Sequence, residues 1–336
     1  MEIEAFIRAI PKAELHLHVE GTLEPRLKFD LAARNGLDLP YASAAEMRAA
    51  YDFDDLTSFL AQYYEGMSVL RTEADFHDLA MAYFTRVAGQ NVVYVEMFFD
   101  PQAHTSRGIG FETVISGLTR ARRKAHERFG IESQLIMCFL RDHSVASAFE
   151  TLGQAAPYRD GIVGVGLDSD ERDNPPVKFS EVFAAAREQG YRLTMHCDVD
   201  QQDSVANIRQ CLDEIGVERI DHGLNVLDDA ALVDEIKRRG IGLTACPVSN
   251  SYVTDGTKAA EIRTLLQRGL LVSVHSDDPA YFPGYIAENL LVLQREAGLT
   301  REDIVRLVRN AFTISWLDEP TRTGHLARID DWVSAH

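Results

Sequence analysis

LVSVHSDDP, residues 271–279, begins as a β-branched apolar run and ends on three side chains that carry chemistry, His275, Asp277 and Asp278. Seven other runs have the same build: AELHLH (13–18), VVYVEMFF (92–99), SQLIMCFL (133–140), IVGVGLD (162–168), RLTMHCD (192–198), RIDHG (219–223) and GLTACPVSN (242–250). Between them lie stretches such as FETVISGLTRARRKAHERF (111–129), SVANIRQCLDEIG (204–216) and AALVDEIKRRG (230–240), whose apolar residues recur at helical spacing. Short strands alternating with helices predict a parallel sheet with crossover connections. Eight units predict an α/β chain folded as a (β/α)8 TIM barrel. The segment from Gly21 to Gln90, including DDLTSFLAQYYEGMSVLR (54–71), reads as helical insertion after strand 1. No internal repeat, low-complexity tract or linker divides residues 1–336, so one domain is expected.

Composition narrows the partners. The chain has 52 Asp plus Glu against 34 Lys plus Arg, a net charge of -18, which would repel a phosphate backbone; nucleic acid is not an expected partner. A hydrophobic share of 46% and a charged share of 26% suit a globular protein with a sizeable core. The first residues, MEIEAFIRAIPKAELHLH, have acids where a secretory signal needs bases. No run approaches the ~20 apolar residues that span a bilayer, so no membrane partner is expected. Cys138, Cys197, Cys211 and Cys246 form no CxxC pair, as expected of reduced, buried thiols in a cytoplasmic protein.

The polar residues cluster at the C-terminal ends of the runs, where barrel enzymes build their sites. Side chains two apart on a strand share a face, so His16 and His18 converge. A lone HxH says little, but His196 closes run five and Asp277 closes run eight. Three imidazoles and one carboxylate make a borderline-soft set for a single Zn²⁺, with a position left for water. Zinc brings the pKa of such a water to ~7. His222, closing run six, is placed to orient that water or accept its proton. Run four offers no lysine for a second metal, which favours one ion per chain; Fe²⁺ and Mn²⁺ also suit such ligands.

PKAELHLHVEGTLEP (11–25), GLDSDERDNPPVKF (166–179), RIDHG (219–223) and SVHSDDPAYFPGY (273–285) together resemble the adenosine/adenine deaminase family of the amidohydrolase superfamily, over nearly the whole chain. The resemblance implies a barrel of the metal-dependent hydrolase type and hydrolytic deamination of a 6-aminopurine by zinc-activated water at C6. It implies metal ligands His16, His18, His196 and Asp277, a water-orienting His222, and Asp278 hydrogen-bonded to purine N7. Gly166 matches the glycine that approaches the ring near N3. Glu20, in HLHVEG, and the run DDPAYFPGY (277–285) match the adenine branch, which implies a free purine base, adenine or an N6-substituted adenine, with Glu20 contacting it. Asp168 is expected to accept a proton from the N9 side.

One motif departs from that family. The strand-five histidine is usually followed three residues later by a glutamate that protonates N1, whereas this chain reads His196-Cys197-Asp198-Val199. Such proton transfer contributes ~10²–10⁴-fold, and valine cannot supply it. Asp198 is the expected replacement, with Asp200 and Glu20 as other carriers. His275 is read as a hydrogen-bonded histidine below the site, and Asp100, His104 and His143 as solvated loop residues. Two other readings are carried: a zinc hydrolase acting on another heterocycle or leaving group, and a purine-binding pseudoenzyme.

Overall fold

The computed structural model describes residues 1–53, 55–197 and 202–336. Eight parallel strands run in chain order: β1 (Lys12–Glu14), β2 (Val92–Phe99), β3 (Glu132–Leu140), β4 (Ile162–Asp168), β5 (Arg192–His196), β6 (Arg219–Asp221), β7 (Gly242–Ala245) and β8 (Leu271–Val274). Each pairs with its successor, as right-handed βα crossovers require. The (β/α)8 architecture is the one expected from the alternating runs. Its seam lies at the site. His18 N donates to Asp277 O at 3.1 Å and Asp277 N donates to His16 O at 3.0 Å, beyond the ends of β1 and β8.

The helices follow the apolar spacing. The helix Phe111–Phe129 buries Phe111, Val114, Ile115, Leu118, Ala121 and Ala125, and stops at Gly130, whose left-handed φ of 68° lets its N–H cap the helix. The expected insertion after β1 is present as helices Pro25–Arg34, Ala44–Ala49, Leu56–Gly66 and Glu73–Ala88. Leu56–Gly66 starts from a capping box in which Ser58 N donates to Asp55 Oδ1 at 2.8 Å and Asp55 N donates to Ser58 Oγ. That cap fixes the helix which brings Phe59 and Tyr63 over the barrel mouth.

Apolar packing lies mainly between strands and helices. The barrel lumen is partly polar and layered. At the bottom, Arg219 Nη1 meets Glu96 Oε2 at 2.6 Å, and its guanidinium lies 4.4 Å from the Trp316 ring centroid. One layer up, Asp221 accepts from Thr194 Oγ1 at 2.6 Å and Thr244 Oγ1 at 2.9 Å. Buried charges persist only when paired and hydrogen-bonded in this way. The next layer is the histidine cluster. Among the described residues, no helix is long and apolar enough to cross a membrane.

Candidate metal centre and purine cavity

His16, His18, His196 and Asp277 come from three strand ends and meet with their ligand atoms within 4.8 Å of one another. His196 Nε2 lies 3.1 Å from both His16 Nε2 and His18 Nε2. Asp277 Oδ1 lies 3.3 Å from His16 Nε2 and 3.5 Å from His18 Nε2. Four donors bonded at ~2.0–2.1 Å to one tetrahedral ion stand roughly 3.3 Å apart, which matches these separations. The opposite nitrogens set the tautomers. His16 Nδ1 donates to Thr244 Oγ1 at 2.9 Å, His196 Nδ1 donates to Leu167 O at 3.1 Å, and His18 Nδ1 faces Asp168 Oδ2 at 3.4 Å. With Nδ1 holding the hydrogen, each Nε2 lone pair is free for a cation. The donor set therefore fits a single divalent ion.

Protonation follows the same geometry. Burial holds the His196 imidazole well below its ordinary range and brings His18 down to about 4, so both are neutral donors. Burial by itself would raise Asp277, but His16, His222 and His18 outweigh it and hold the carboxylate well below its usual range.

His222 Nε2 lies 3.6 Å from Asp277 Oδ2, with its ring centroid 4.7 Å from that of His16. Burial, reinforced by His16, brings its imidazole down to about 4. It is therefore a neutral base beside the cluster. Strand alternation alone does not place it there: Asp221 and His222 are neighbours, yet Asp221 points below the cluster and His222 into the cavity. The backbone makes this possible, with φ of 64° at His222 and 62° at Asp277, a conformation that costs non-glycine residues energy and concentrates at functional sites.

A cavity opens beside the cluster, lined by His18, His196, His222 and Asp277 together with Asp100, Asp168, Ser169, Glu171 and Asp278. An apolar wall of Leu56, Phe59, Leu60, Val253 and Phe282 faces these groups. Among the described lining residues, none is Lys or Arg. Asp278 is buried with Oδ1 unpaired, and burial with the charge of Asp277 pushes its carboxyl well up.

The remaining expected residues are distributed unevenly. Asp168 lines the cavity. Gly166 is not among the lining residues; a Cβ there would stand 2.7 Å from Cys138 Sγ, so strand packing accounts for the glycine. Ser169, with a left-handed φ of 76°, takes the place at the cavity edge. Glu20 is not among the lining residues; it lies behind Asp100, where its Oε1 accepts from Asp100 N at 3.2 Å and His104 Nε2 at 2.8 Å. Asp198, with Asp200, lies outside the described residues. His275 is fully buried, its Nδ1 accepting from Leu15 N and its Nε2 facing Ser273 Oγ, as expected of a structural histidine.

The reading of Asp100 and His104 as solvated is overturned: they are 1% and 0% exposed. A helix Pro101–Thr105 packs directly after β2 instead of a surface loop. Arg107 Nη2 donates to His104 Nδ1 at 2.7 Å, and burial keeps that imidazole neutral, so His104 passes a hydrogen bond to Glu20. Glu171 was also missed. It lines the cavity and meets Arg141 Nη1 at 3.5 Å, while the same Arg141 nitrogen donates to His196 O at 2.9 Å. The sequence signal for it was the charged cluster directly beyond run four.

Thr244 was likewise unmarked, yet it links Asp221 to His16. Thr244→Val removes the hydroxyl that receives His16 Nδ1–H while preserving shape. It is expected to weaken metal affinity about 10–100-fold, read by chelator competition, with Thr244→Ser restoring most of it.

The profile of the adenosine deaminase family matches residues 11–332. The chain is 47% identical to an adenine deaminase of Rhodospirillum rubrum over 97% of both chains, and 50% identical to one of Streptomyces coelicolor, covering 96% of this chain and 95% of that protein. The crystal structure of an adenine deaminase from Arthrobacter aurescens superposes with a TM-score of 0.94 at 41% identity, covering 97% of this chain and all of that one. The barrel, its histidine cluster and these likenesses place the chain in the adenosine deaminase family, as a hydrolytic deaminase.

Proposed function

We propose that this protein converts a free 6-aminopurine, adenine or an N6-substituted adenine, and water into the 6-oxopurine and ammonia or the corresponding amine. The observation that carries the reading is the four-donor cluster beside neutral His222, in a cavity whose described lining has no cationic side chain. A nucleotide phosphate would meet no cationic side chain among those lining residues, and the desolvation of that charge would go uncompensated. One zinc ion, held by His16, His18, His196 and Asp277, is the proposed cofactor. When bound, it supplies an activated water at neutral pH.

The protein's own groups do the rest. His222 orients the water and accepts its proton. Asp278, kept protonated by burial, donates to purine N7, while Asp168 accepts from the N9 side. Asp198 delivers a proton to N1, so that C6 becomes tetrahedral and the C6–N6 bond breaks with the amine leaving protonated. The apolar wall at Leu56, Phe59 and Phe282 gives an N6 alkyl group a dry surface. The four buried, free cysteines suit a reducing cytoplasm.

The test is amine release by zinc-loaded protein from adenine, N6-methyladenine, adenosine and AMP, followed by mass spectrometry. Turnover of the free bases well above adenosine and AMP is expected. If none of the four is hydrolysed, the reading fails.

A further inference from the structure

Asp100 and Asp168 stand apart from the other carboxyls of the cavity. They follow β2 and end β4, strands that are not neighbours, and both are more than nine-tenths buried while lining the cavity. An oxygen of each lies within 4.8 Å of the other and of a His18 nitrogen. Their acceptor capacity is only partly used: Asp168 Oδ2 faces His18 Nδ1 at 3.4 Å and Asp100 Oδ2 takes a long bond from Tyr63 O–H at 3.4 Å, while the two carboxyls otherwise meet mainly each other, and Asp168 Oδ1 and Asp100 Oδ1 have no partner outside that contact.

The pair is also held in place. Asp100 N is fixed by Glu20 Oε1, which is fixed by His104 Nε2, whose Nδ1 is fixed by Arg107 Nη2. A buried unpaired acceptor costs about 1–3 kcal/mol, and more when charged. Several together, on a braced backbone facing a cavity, mark a place where a ligand brings N–H groups. The same pair offers a phosphate or carboxylate no cation.

We propose that Asp100 and Asp168 form a subsite for the imidazole N–H of an unsubstituted purine, so that the cavity selects free bases and rejects purines substituted on N9. This rests on the deaminase reading above, in which C6 lies toward the cation cluster. In that pose N1, N3 and N7 of adenine are acceptors, and N9–H is the one ring donor left. Asp168 Oδ2 lies 3.4 Å from His18 Nδ1, on the side of that ring away from the cluster, so Asp168 is set back from the cation position. Asp100 is assigned here a binding role, and Glu20, His104 and Arg107 are its positioning residues. A group on N9 would remove the donor and press against two buried carboxyls.

The experiment compares kcat/KM of the zinc-loaded protein for adenine and 9-methyladenine, with calorimetric binding of hypoxanthine and 9-methylhypoxanthine. A site built around a substrate N–H rejects the analogue lacking it by roughly 10⁴-fold, and that preference for adenine is expected of the wild type. Asp100→Asn and Asp168→Asn are expected to narrow the preference below a hundredfold, mainly through loss with adenine, with Asp100→Asn keeping its zinc content. Equal use of adenine and 9-methyladenine by the wild type overturns the subsite and leaves the deaminase reading standing. A second zinc ion bound by the wild type and lost in Asp100→Asn also overturns it, since the pair would then be a metal site. Failure to hydrolyse any 6-aminopurine or to bind hypoxanthine overturns the deaminase reading instead. The wild-type comparison does not depend on either variant folding.

Discussion

His196→Ala is expected to lose the bound metal and, with it, about 10³–10⁵-fold in kcat/KM, because a cation's stabilisation of developing charge is worth several kcal/mol and each 1.36 kcal/mol is tenfold in rate. His196 is the shared vertex of the cluster, at 3.1 Å from each of the other two ligand nitrogens. Its loss leaves His16, His18 and Asp277 on one side of the ion with nothing to close the tetrahedron. Elemental analysis should fall from one zinc per chain to a trace, and excess Zn²⁺ should restore little activity. Chelation of the wild type should give the same inactive state, reversed by adding Zn²⁺. Because the ion binds the folded chain, chelation should also lower Tm; saturation at a thousand times Kd contributes about 4 kcal/mol. An enzyme that keeps full activity after its metal is removed would contradict the assignment of all four ligands.

His222→Ala is expected to act differently. Metal content should be unchanged, KM should move little, and kcat should fall by about 10²–10⁴-fold, the range for a positioned proton acceptor. The reason is geometric: His222 Nε2 approaches Asp277 Oδ2, whereas the cluster uses Oδ1. The imidazole is neutral over the physiological range because burial and His16 keep it down at about 4. Loss of zinc in His222→Ala would instead make this histidine a ligand. Read together, the two variants separate metal binding from proton transfer, which substitution of Asp277 cannot do.

Proton delivery to N1 needs another donor in this chain, because Val199 stands where the resembled motif has a glutamate. Asp198 remains the proposed donor. At the end of β5, Arg141 grips the carbonyl of His196 with the nitrogen that also faces Glu171. The end of β5 and the loop after β4 are thus tied through one buried guanidinium. Changes in either are expected to be felt at the metal.

The sequence by itself determined the strand order, the helical insertion after β1 and the identity of the four clustered donors. Apolar periodicity is a local property of the chain, and side chains two apart at a strand end must share a face. Tertiary structure decided what depends on contacts between distant segments. Closure of β8 onto β1 brings Asp277 to His16 and His18. Left-handed backbone at His222 and Asp277 turns adjacent side chains in directions that strict alternation forbids. Burial of Asp100 and His104 was not legible, because a polar residue after a strand looks the same in sequence whether water or Glu20 meets it. The same holds for Gly166, whose missing side chain answers to Cys138 on the next strand. Hydrogen bonds formed across the barrel leave no periodic trace in the chain, so only the closed fold reveals them.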